Sequence, residues 1–117
     1  MSTLKVNTIQ TTSGVEVYTA KAWVNFNGTG TVAIRASGNV SSITDGGTGD
    51  YYVNFTTAIQ DTNYCVVASI SNASAGANAV IPTNNNTTPP TTGSIRIGTY
   101  IYAAATDPTY CFAAIFR

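Results

Sequence analysis

The sequence predicts an all-β fold, an antiparallel β-sandwich, from three observations. β-branched and aromatic residues alternate with small polar residues along most of the chain, which is the period of a strand with one buried face. Glycine, asparagine and aspartate interrupt this alternation about every ten residues, as expected for strands joined by turns. No window has the apolar spacing of an amphipathic helix. The 117 residues suffice for one domain with its own core.

The first predicted hairpin lies in "AKAWVNFNGTGTVAIRAS". Its outgoing strand places three residues on the face that we expect to be buried: Ala22, Val24 and Phe26. Its return strand does the same with Val32, Ile34 and Ala36. Trp23 and Arg35 fall on the opposite face, and Gly28 and Gly30 accept the backbone angles of a tight turn. We therefore interpret this stretch as a structural hairpin with one buried face.

A second hairpin is predicted in "NVSSITDGGTGDYYVNFTT", with Tyr51, Val53 and Phe55 pointing inward. The glycines and aspartates of its central "DGGTGD" also suggest a calcium loop. The spacing does not fit a calcium-binding repeat, because Asp50 follows Gly49 directly and no second copy of the motif occurs. We interpret the motif as a hairpin turn.

Strands in the second half of the chain are apolar on both faces. In "NYCVVASIS" and "TYCFAAIFR" neither alternate set of residues is polar. Such antiparallel strands in a small domain need a second cover, for which another copy of the chain is the simplest source. We predict an oligomer, and we interpret Cys65 and Cys111 as buried thiols that pack as small apolar residues. The predicted subunit interface contains Trp23, Arg35, Tyr64, Phe112 and Phe116.

Composition excludes several functions. Five basic and five acidic residues give no charge cluster for nucleic acid or a membrane surface. The chain contains no histidine, so a Ser/His/Asp or Cys/His nucleophile cannot be assembled. The four aspartates lie in turn contexts, where a structural role is expected. We predict no catalytic residue, no metal, no cofactor, no nucleic-acid partner and no membrane insertion.

Exposed aromatic residues are the remaining candidates for contacts with a ligand or a partner chain. Four of them fall on the faces opposite the predicted core: Trp23, Tyr52, Tyr100 and Tyr102. Planar rings with polar tips suit either a sugar or a partner chain, and we favour burial in the subunit interface. The polar tract "PTNNNTTPPTTGS" is predicted to be a long exposed loop, because its consecutive prolines prevent regular strand pairing.

Residues 21–59 ("KAWVNFNGTGTVAIRASGNVSSITDGGTGDYYVNFTTAI") closely resemble a segment of tail-fibre and knob proteins of tailed bacteriophages, notably marine and cyanobacterial ones. "STLKVNTIQTTSG" resembles the N-terminal lead that accompanies this segment, and "DPTYCFAAIFR" resembles its chain terminus. The resemblance implies a non-enzymatic virion structural protein, a homotrimer made in the host cytoplasm. We accordingly expect an extended attachment lead at residues 1–20 and a jelly-roll-like sandwich knob at residues 21–117.

Two functions are carried forward, with a polysaccharide-cleaving enzyme as a third that a sugar-release assay would detect. The first is a fibre tip that engages a host-surface glycan through its polar, uncharged loops. Its candidate receptor-binding residues are Asn72, Asn78, Asn84, Asn85, Asn86, Thr87 and Thr88. The second is a capsid or tail decoration protein that binds only other virion proteins. Both functions use the lead for virion attachment, as a strand added to a neighbour's edge, with Leu4, Val6 and Ile9 as its candidate residues.

Overall fold

The computed structural model of the chain describes residues 2–71, 78–82 and 88–117. These residues contain no helix, and therefore none that is long and apolar enough to cross a membrane. Their ordered elements are nine strands. In chain order the strands are β1 (Ala22–Asn27), β2 (Ala33–Gly38), β3 (Val40–Gly47), β4 (Asp50–Phe55), β5 (Cys65–Ser71), β6 (Asn78–Pro82), β7 (Ser94–Ile101), β8 (Ala104–Ala105) and β9 (Tyr110–Phe116).

Two antiparallel sheets pack against each other, which confirms the predicted all-β, sandwich-like class. The first sheet has the strand order β2-β1-β9-β5. The second has the order β3-β4-β7-β6, and the short strand β8 pairs with β7. The chain therefore forms hairpins within each sheet and crosses between the two sheets four times, after β2, β4, β5 and β8.

The core lies between the sheets and contains the residue sets predicted for β1 and β4. Ala22, Val24 and Phe26 are at most 2% exposed, because alternate residues of a strand point to the same side. The rings of Phe26 and Tyr51 meet edge to face with their centroids 5.2 Å apart. The remaining buried apolar residues are Val40, Val53, Phe55, Ile59, Ile95, Ile97, Cys111, Ala113 and Ile115.

Two predictions about individual side chains were wrong. The pairing of β1 with β2 shifts between Asn25 and Phe26, so Ile34 packs on the core whereas Ala36 is exposed. A bulge of this kind moves the alternation by one residue, which a pattern of period two cannot anticipate. Cys65 is also exposed, whereas Cys111 is fully buried and burial raises its thiol pKa to about 12.

The two ends of the sandwich differ in what they contain. At one end, which we call the lead end, Lys21 enters β1 and donates its backbone N–H to the Ile115 carbonyl oxygen at 2.7 Å. Gly93, just before β7, accepts from the Phe55 backbone N–H at this same end. The opposite end holds the β1–β2 and β3–β4 turns, together with the last residue of β5 and the first of β6.

Candidate functional site

Four of the five predicted interface residues lie together on the outer side of the first sheet. Trp23 and Phe112 are 44% and 38% exposed, and Arg35 and Phe116 project from the same side. Tyr64 is not among them. Its ring packs edge to face on Phe55 at 5.9 Å, and its hydroxyl donates to the Thr91 carbonyl oxygen at 2.8 Å. Burial against these neighbours raises the pKa of Tyr64 to about 12.

Strand register assembles the exposed apolar residues into one surface. Trp23, Ala114 and Val67 are paired across β1, β9 and β5, and they form one row. Phe112 lies in the next row, between Asn25 and Ser69. We call the surface formed by Trp23, Val67, Tyr110, Phe112 and Ala114 the apolar face.

The aromatic rings of the apolar face are held in fixed orientations. Tyr110 and Phe112 stack with centroids 6.1 Å apart, and the Arg35 guanidinium lies 4.1 Å from the centre of the Tyr110 ring. Arg35 also donates from Nη2 to the Thr109 carbonyl oxygen at 2.7 Å. The Trp23 indole lies across Gly38 on the neighbouring strand, at the place that a Cβ would occupy. These contacts hold the rings close to the sheet, so the face is preformed.

A shallow groove of about 440 Å³ crosses the apolar face. Trp23 stands on one side of the groove and Val67 on the other, with the small Ala114 between them. Val67 and Tyr110 were not among the predicted interface residues. Their sequence signal was present, because both lie on strands that are apolar on both faces.

The N-terminal lead forms a small hairpin outside the sandwich. A bridge joins Gln10 to Glu16, and the Val17 backbone N–H donates to the Ile9 carbonyl oxygen at 2.7 Å. The predicted attachment residues lie in or before this hairpin and are exposed: Leu4 by 86%, Val6 by 51% and Ile9 by 51%. A groove of about 590 Å³ separates the lead from the lead end of the first sheet, near Cys65 and Phe116.

The outer side of the second sheet is polar, and we call it the polar face. Arg96 donates from Nε and Nη2 to the two carboxylate oxygens of Asp50, each at 2.7 Å, and from Nη1 to Thr88 Oγ1 at 2.9 Å. This ion pair lowers the pKa of Asp50 below its usual range. Asn54 donates to the hydroxyls of Ser42 and Thr44 on the neighbouring strand.

Three of the aromatics that the sequence places opposite the core belong to the second sheet and its turn into β8. Tyr52 lies on the polar face beside Arg96, whose guanidinium carbon is 5.5 Å from its ring centre. Tyr100 is partly buried near the end of β7. Tyr102 is 70% exposed at the turn into β8, where its backbone has φ of 50°. Tyr52 and Tyr100 thus both lie on the outer side of this sheet near Arg96, whereas Tyr102 lies at the turn.

Most of the predicted receptor-binding residues lie outside the described part of the chain: Asn72, Asn84, Asn85, Asn86 and Thr87. Of the other two, Asn78 begins β6 and Thr88 is bonded to Arg96. The described residues that flank these two segments lie at opposite ends of the sandwich. Ser71 and Asn78 lie at the end opposite the lead, whereas Pro82 and Ser94 lie at the lead end.

The four aspartates have structural partners. Asp45 and Asp61 each accept a backbone N–H two residues ahead, as turn-forming aspartates do. Asp107 accepts from the Gly49 backbone N–H at 2.8 Å, and its Oδ1 lies 2.7 Å from the Tyr51 hydroxyl. Burial, with Asp107 nearby, raises the pKa of Tyr51 above its usual range. Within the described ranges, no group of three or more metal-ligating side chains occurs.

Comparisons of the chain with protein-family models, with curated proteins and with solved structures found no significant match. The chain's function is therefore argued from its own surfaces.

Proposed function

We propose that the chain is a non-enzymatic structural protein of a tailed-bacteriophage virion, a homotrimeric, jelly-roll-like fibre tip or knob that engages a glycan on the host surface. One observation carries the proposal. Among the described residues, the large hydrophobics that remain exposed are confined to two surfaces, apart from Tyr102: the lead and the apolar face. Contiguous exposed apolar surface of this kind is typical of a protein that is covered by partners in an assembly.

The position of the lead indicates which end of the proposed knob faces the particle and which faces outward. The lead adjoins the start of β1 and the end of β9, so attachment through Leu4, Val6 and Ile9 would hold the lead end toward the particle. The opposite end would then face outward. Ser71 and Asn78 lie there, so the loop that joins them is the better placed of the two predicted receptor-binding loops.

The chemistry of that loop suits a glycan. The sequence between Ser71 and Asn78, "NASAGA", carries no charge and supplies amide and hydroxyl groups. Hydrogen bonds of these groups to sugar hydroxyls persist at high ionic strength, where exposed ion pairs are screened to about 3 Å at 1 M salt. An uncharged binding surface therefore suits a virus of saline water.

Adsorption to host cells tests the proposal through two separate loop replacements. One variant replaces residues 72–77 with Gly-Ser repeats of equal length, and the other does the same for residues 83–87. Both leave Thr91 and Gly93 intact, because these residues accept hydrogen bonds from Tyr64 and Phe55. We expect the first variant alone to lose adsorption. If particles carrying the first variant and particles carrying the second both adsorb fully, receptor engagement is contradicted, and loss with the second alone would reverse the proposed direction.

The exposed lead also favours the second candidate, a decoration protein that binds only virion neighbours. Leu4 is 86% exposed in the isolated chain, as expected of a segment that a partner covers. Density for this chain in images of the intact particle distinguishes the candidates, since a fibre tip lies at the tail and a capsid decoration protein on the head. Neither candidate releases sugar from host envelopes, and such release would contradict both.

A further inference from the structure

We propose that the apolar faces of neighbouring copies of this chain pack against one another around the threefold axis of the proposed homotrimer. The proposal rests on the proposed function only in that the fibre tip is built from several copies. It adds which surface those copies share: the row Trp23–Ala114–Val67 and the stacked rings of Tyr110 and Phe112.

Charge is the first argument for a second copy. Strands β1, β2, β5 and β9 contain no carboxylate, and Arg35 is their only charged residue. Arg35 lies on the edge strand β2, where it binds the Thr109 carbonyl oxygen and the Tyr110 ring. When a surface meets its own copy, every charge near the symmetry axis faces a like charge. The centre of the apolar face has none, so self-association costs no charge repulsion.

Shape is the second argument. The groove between Trp23 and Val67 has a volume of about 440 Å³ and Ala114 at its floor. The rims of this groove are themselves apolar side chains that a facing sheet can accept, as in aligned sheet packing, where side chains of the two inner faces interdigitate. The polar residues Asn25 and Ser69 flank Phe112 on the same face.

Area is the third argument. Four strands about 4.8 Å apart and up to seven residues long, at about 3.4 Å per residue, cover about 450 Å². Two such faces amount to about 900 Å² before the projecting rings are included, which approaches the roughly 1,000 Å² that a specific interface needs. The exposed fractions of Trp23 and Phe112, 44% and 38%, show how much ring surface a partner would cover.

A matched pair of substitutions tests the proposal. Val67 and Val15 are 62% and 61% exposed, but Val67 lies on the apolar face and Val15 on the lead hairpin. We expect the purified full-length chain to be oligomeric, Val67→Asp to be monomeric at the same concentration, and Val15→Asp to keep the oligomer. Light scattering or sedimentation measures the mass. Emission of Trp23, the chain's sole tryptophan, should shift to the red in Val67→Asp and on dilution of the wild type.

Each outcome decides the proposal. An oligomeric Val67→Asp, or a wild type that is monomeric at high concentration, overturns the assignment of the apolar face. If Val67→Asp does not fold, as judged by circular dichroism, Ser69→Arg on the same face replaces it, because Ser69 is exposed beside Phe112. The adsorption assay is independent of these masses, so a failed interface and a failed receptor function give different results.

Discussion

The outer faces of the two sheets differ in whether their side chains have partners within the chain. On the polar face, Asp50 and Arg96 form a bidentate ion pair, and Asn54 bonds to two neighbouring hydroxyls. These polar groups find partners within the chain, so the face is complete without another molecule. On the apolar face, Trp23, Val67 and Phe112 remain exposed between strands whose inward residues are already buried. In the proposed oligomer, another copy of the chain covers that face.

This difference separates folding from assembly. A substitution that breaks contacts of the second sheet should lower the stability of each copy, because its partners lie within the chain. A substitution on the apolar face should leave the single copy folded and act mainly on its association. Substitutions of the same type in the two sheets therefore provide a direct comparison, and glycines offer the largest contrast.

Gly49→Ala should have the largest effect. Gly49 has φ of 66°, and an added Cβ would lie 2.6 Å from the Thr99 carbonyl oxygen and 2.8 Å from the Thr106 backbone nitrogen. Both obstacles are backbone atoms, one in β7 and one in the residue after β8, and they cannot rotate away. The left-handed angle and the displaced strand together should lower the free energy of unfolding by about 3 kcal/mol or more. Chemical denaturation measures the loss.

Gly30→Ala is the matched control in the first sheet. Gly30 has φ of 60°, nearly that of Gly49, but nothing lies within 4 Å of the position of its added Cβ. It should therefore cost only the backbone strain, about 1 kcal/mol. Equal losses in the two variants would show that the crowding around Gly49 does not matter.

Arg96→Met should have the next largest effect. It leaves the Asp50 carboxylate without its bidentate partner, although the Asp50 side chain is only 18% exposed. A charged group left unpaired in such a site costs about 1–3 kcal/mol. Arg96 lowers the pKa of Asp50 in the folded chain. The ion pair therefore stabilises the folded chain at pH values above 3.8, the ordinary pKa of aspartate, and this stabilisation is lost as the pH falls below that value. The difference in unfolding free energy should therefore shrink in acid.

Arg35→Met provides the same change on the other face. Arg35 is exposed, and its hydrogen bond to the Thr109 carbonyl oxygen involves no carboxylate. We expect the free energy of unfolding of the single copy to fall by less than about 1 kcal/mol. A loss as large as that of Arg96→Met would contradict the division of roles between the faces.

Much of the fold could be predicted because strand alternation is a local property. The period of two placed Val24 and Phe26 inside and Trp23 outside, as found. The position of Ala36 could not be predicted, since a bulge depends on how β2 pairs with β1. Cys65 shows a second limit. Its strand is apolar on both faces, and alternation alone does not say which of the two faces a neighbouring sheet will cover.

The candidate surfaces were predicted less completely because they depend on topology. Phe112 and Trp23 come from strands far apart in sequence, and only the β2-β1-β9-β5 order makes them neighbours. Tyr64 was assigned to the interface, yet it packs on Phe55 because it precedes β5 on the inward side. The residues that flank the two predicted loops, Ser71 and Asn78 for one and Pro82 and Ser94 for the other, lie at opposite ends of the sandwich. This follows from the strand directions, which the sequence pattern does not encode.

Gly38→Ala should have a much smaller effect than Gly49→Ala and should act on the apolar face. An added Cβ would meet Nε1 and the adjoining carbon atoms of the Trp23 indole, which must then lift off the sheet. A side chain can rotate where a backbone cannot, so the unfolding free energy should fall by about 1 kcal/mol. The emission of Trp23 should change, and the oligomer should weaken. Unchanged emission would mean that the indole does not lie over Gly38.

Asp61→Asn should have the smallest effect, and it compares the ion pair beside the first sheet with that of the second. Arg117 donates to both Asp61 oxygens at 2.8 Å, but these side chains are 34% and 37% exposed, about twice as much as those of Arg96 and Asp50. Hydrogen bonds from Arg117 and from the Asn63 backbone lower the pKa of Asp61 from 3.8 to about 2. Solvent screens an exposed pair of this kind, so its contribution to stability is small.

The lowered pKa of Asp61 nevertheless determines the direction in which the contribution of the Asp61–Arg117 ion pair to stability changes with pH. A carboxylate with a lowered folded pKa stabilises the chain above its unfolded pKa, and this stabilisation disappears as pH falls from about 4 to about 2. Unfolding midpoints of the wild type and Asp61→Asn should therefore differ at pH 7 and converge near pH 2. Arg117→Met and the double variant complete a thermodynamic cycle, whose coupling should vanish over the same range and in 1 M salt. If the coupling energy between Asp61 and Arg117 at neutral pH equals that between Asp50 and Arg96, solvent exposure does not distinguish the two ion pairs. The hydrogen bonds within the polar face would then add nothing to its stability.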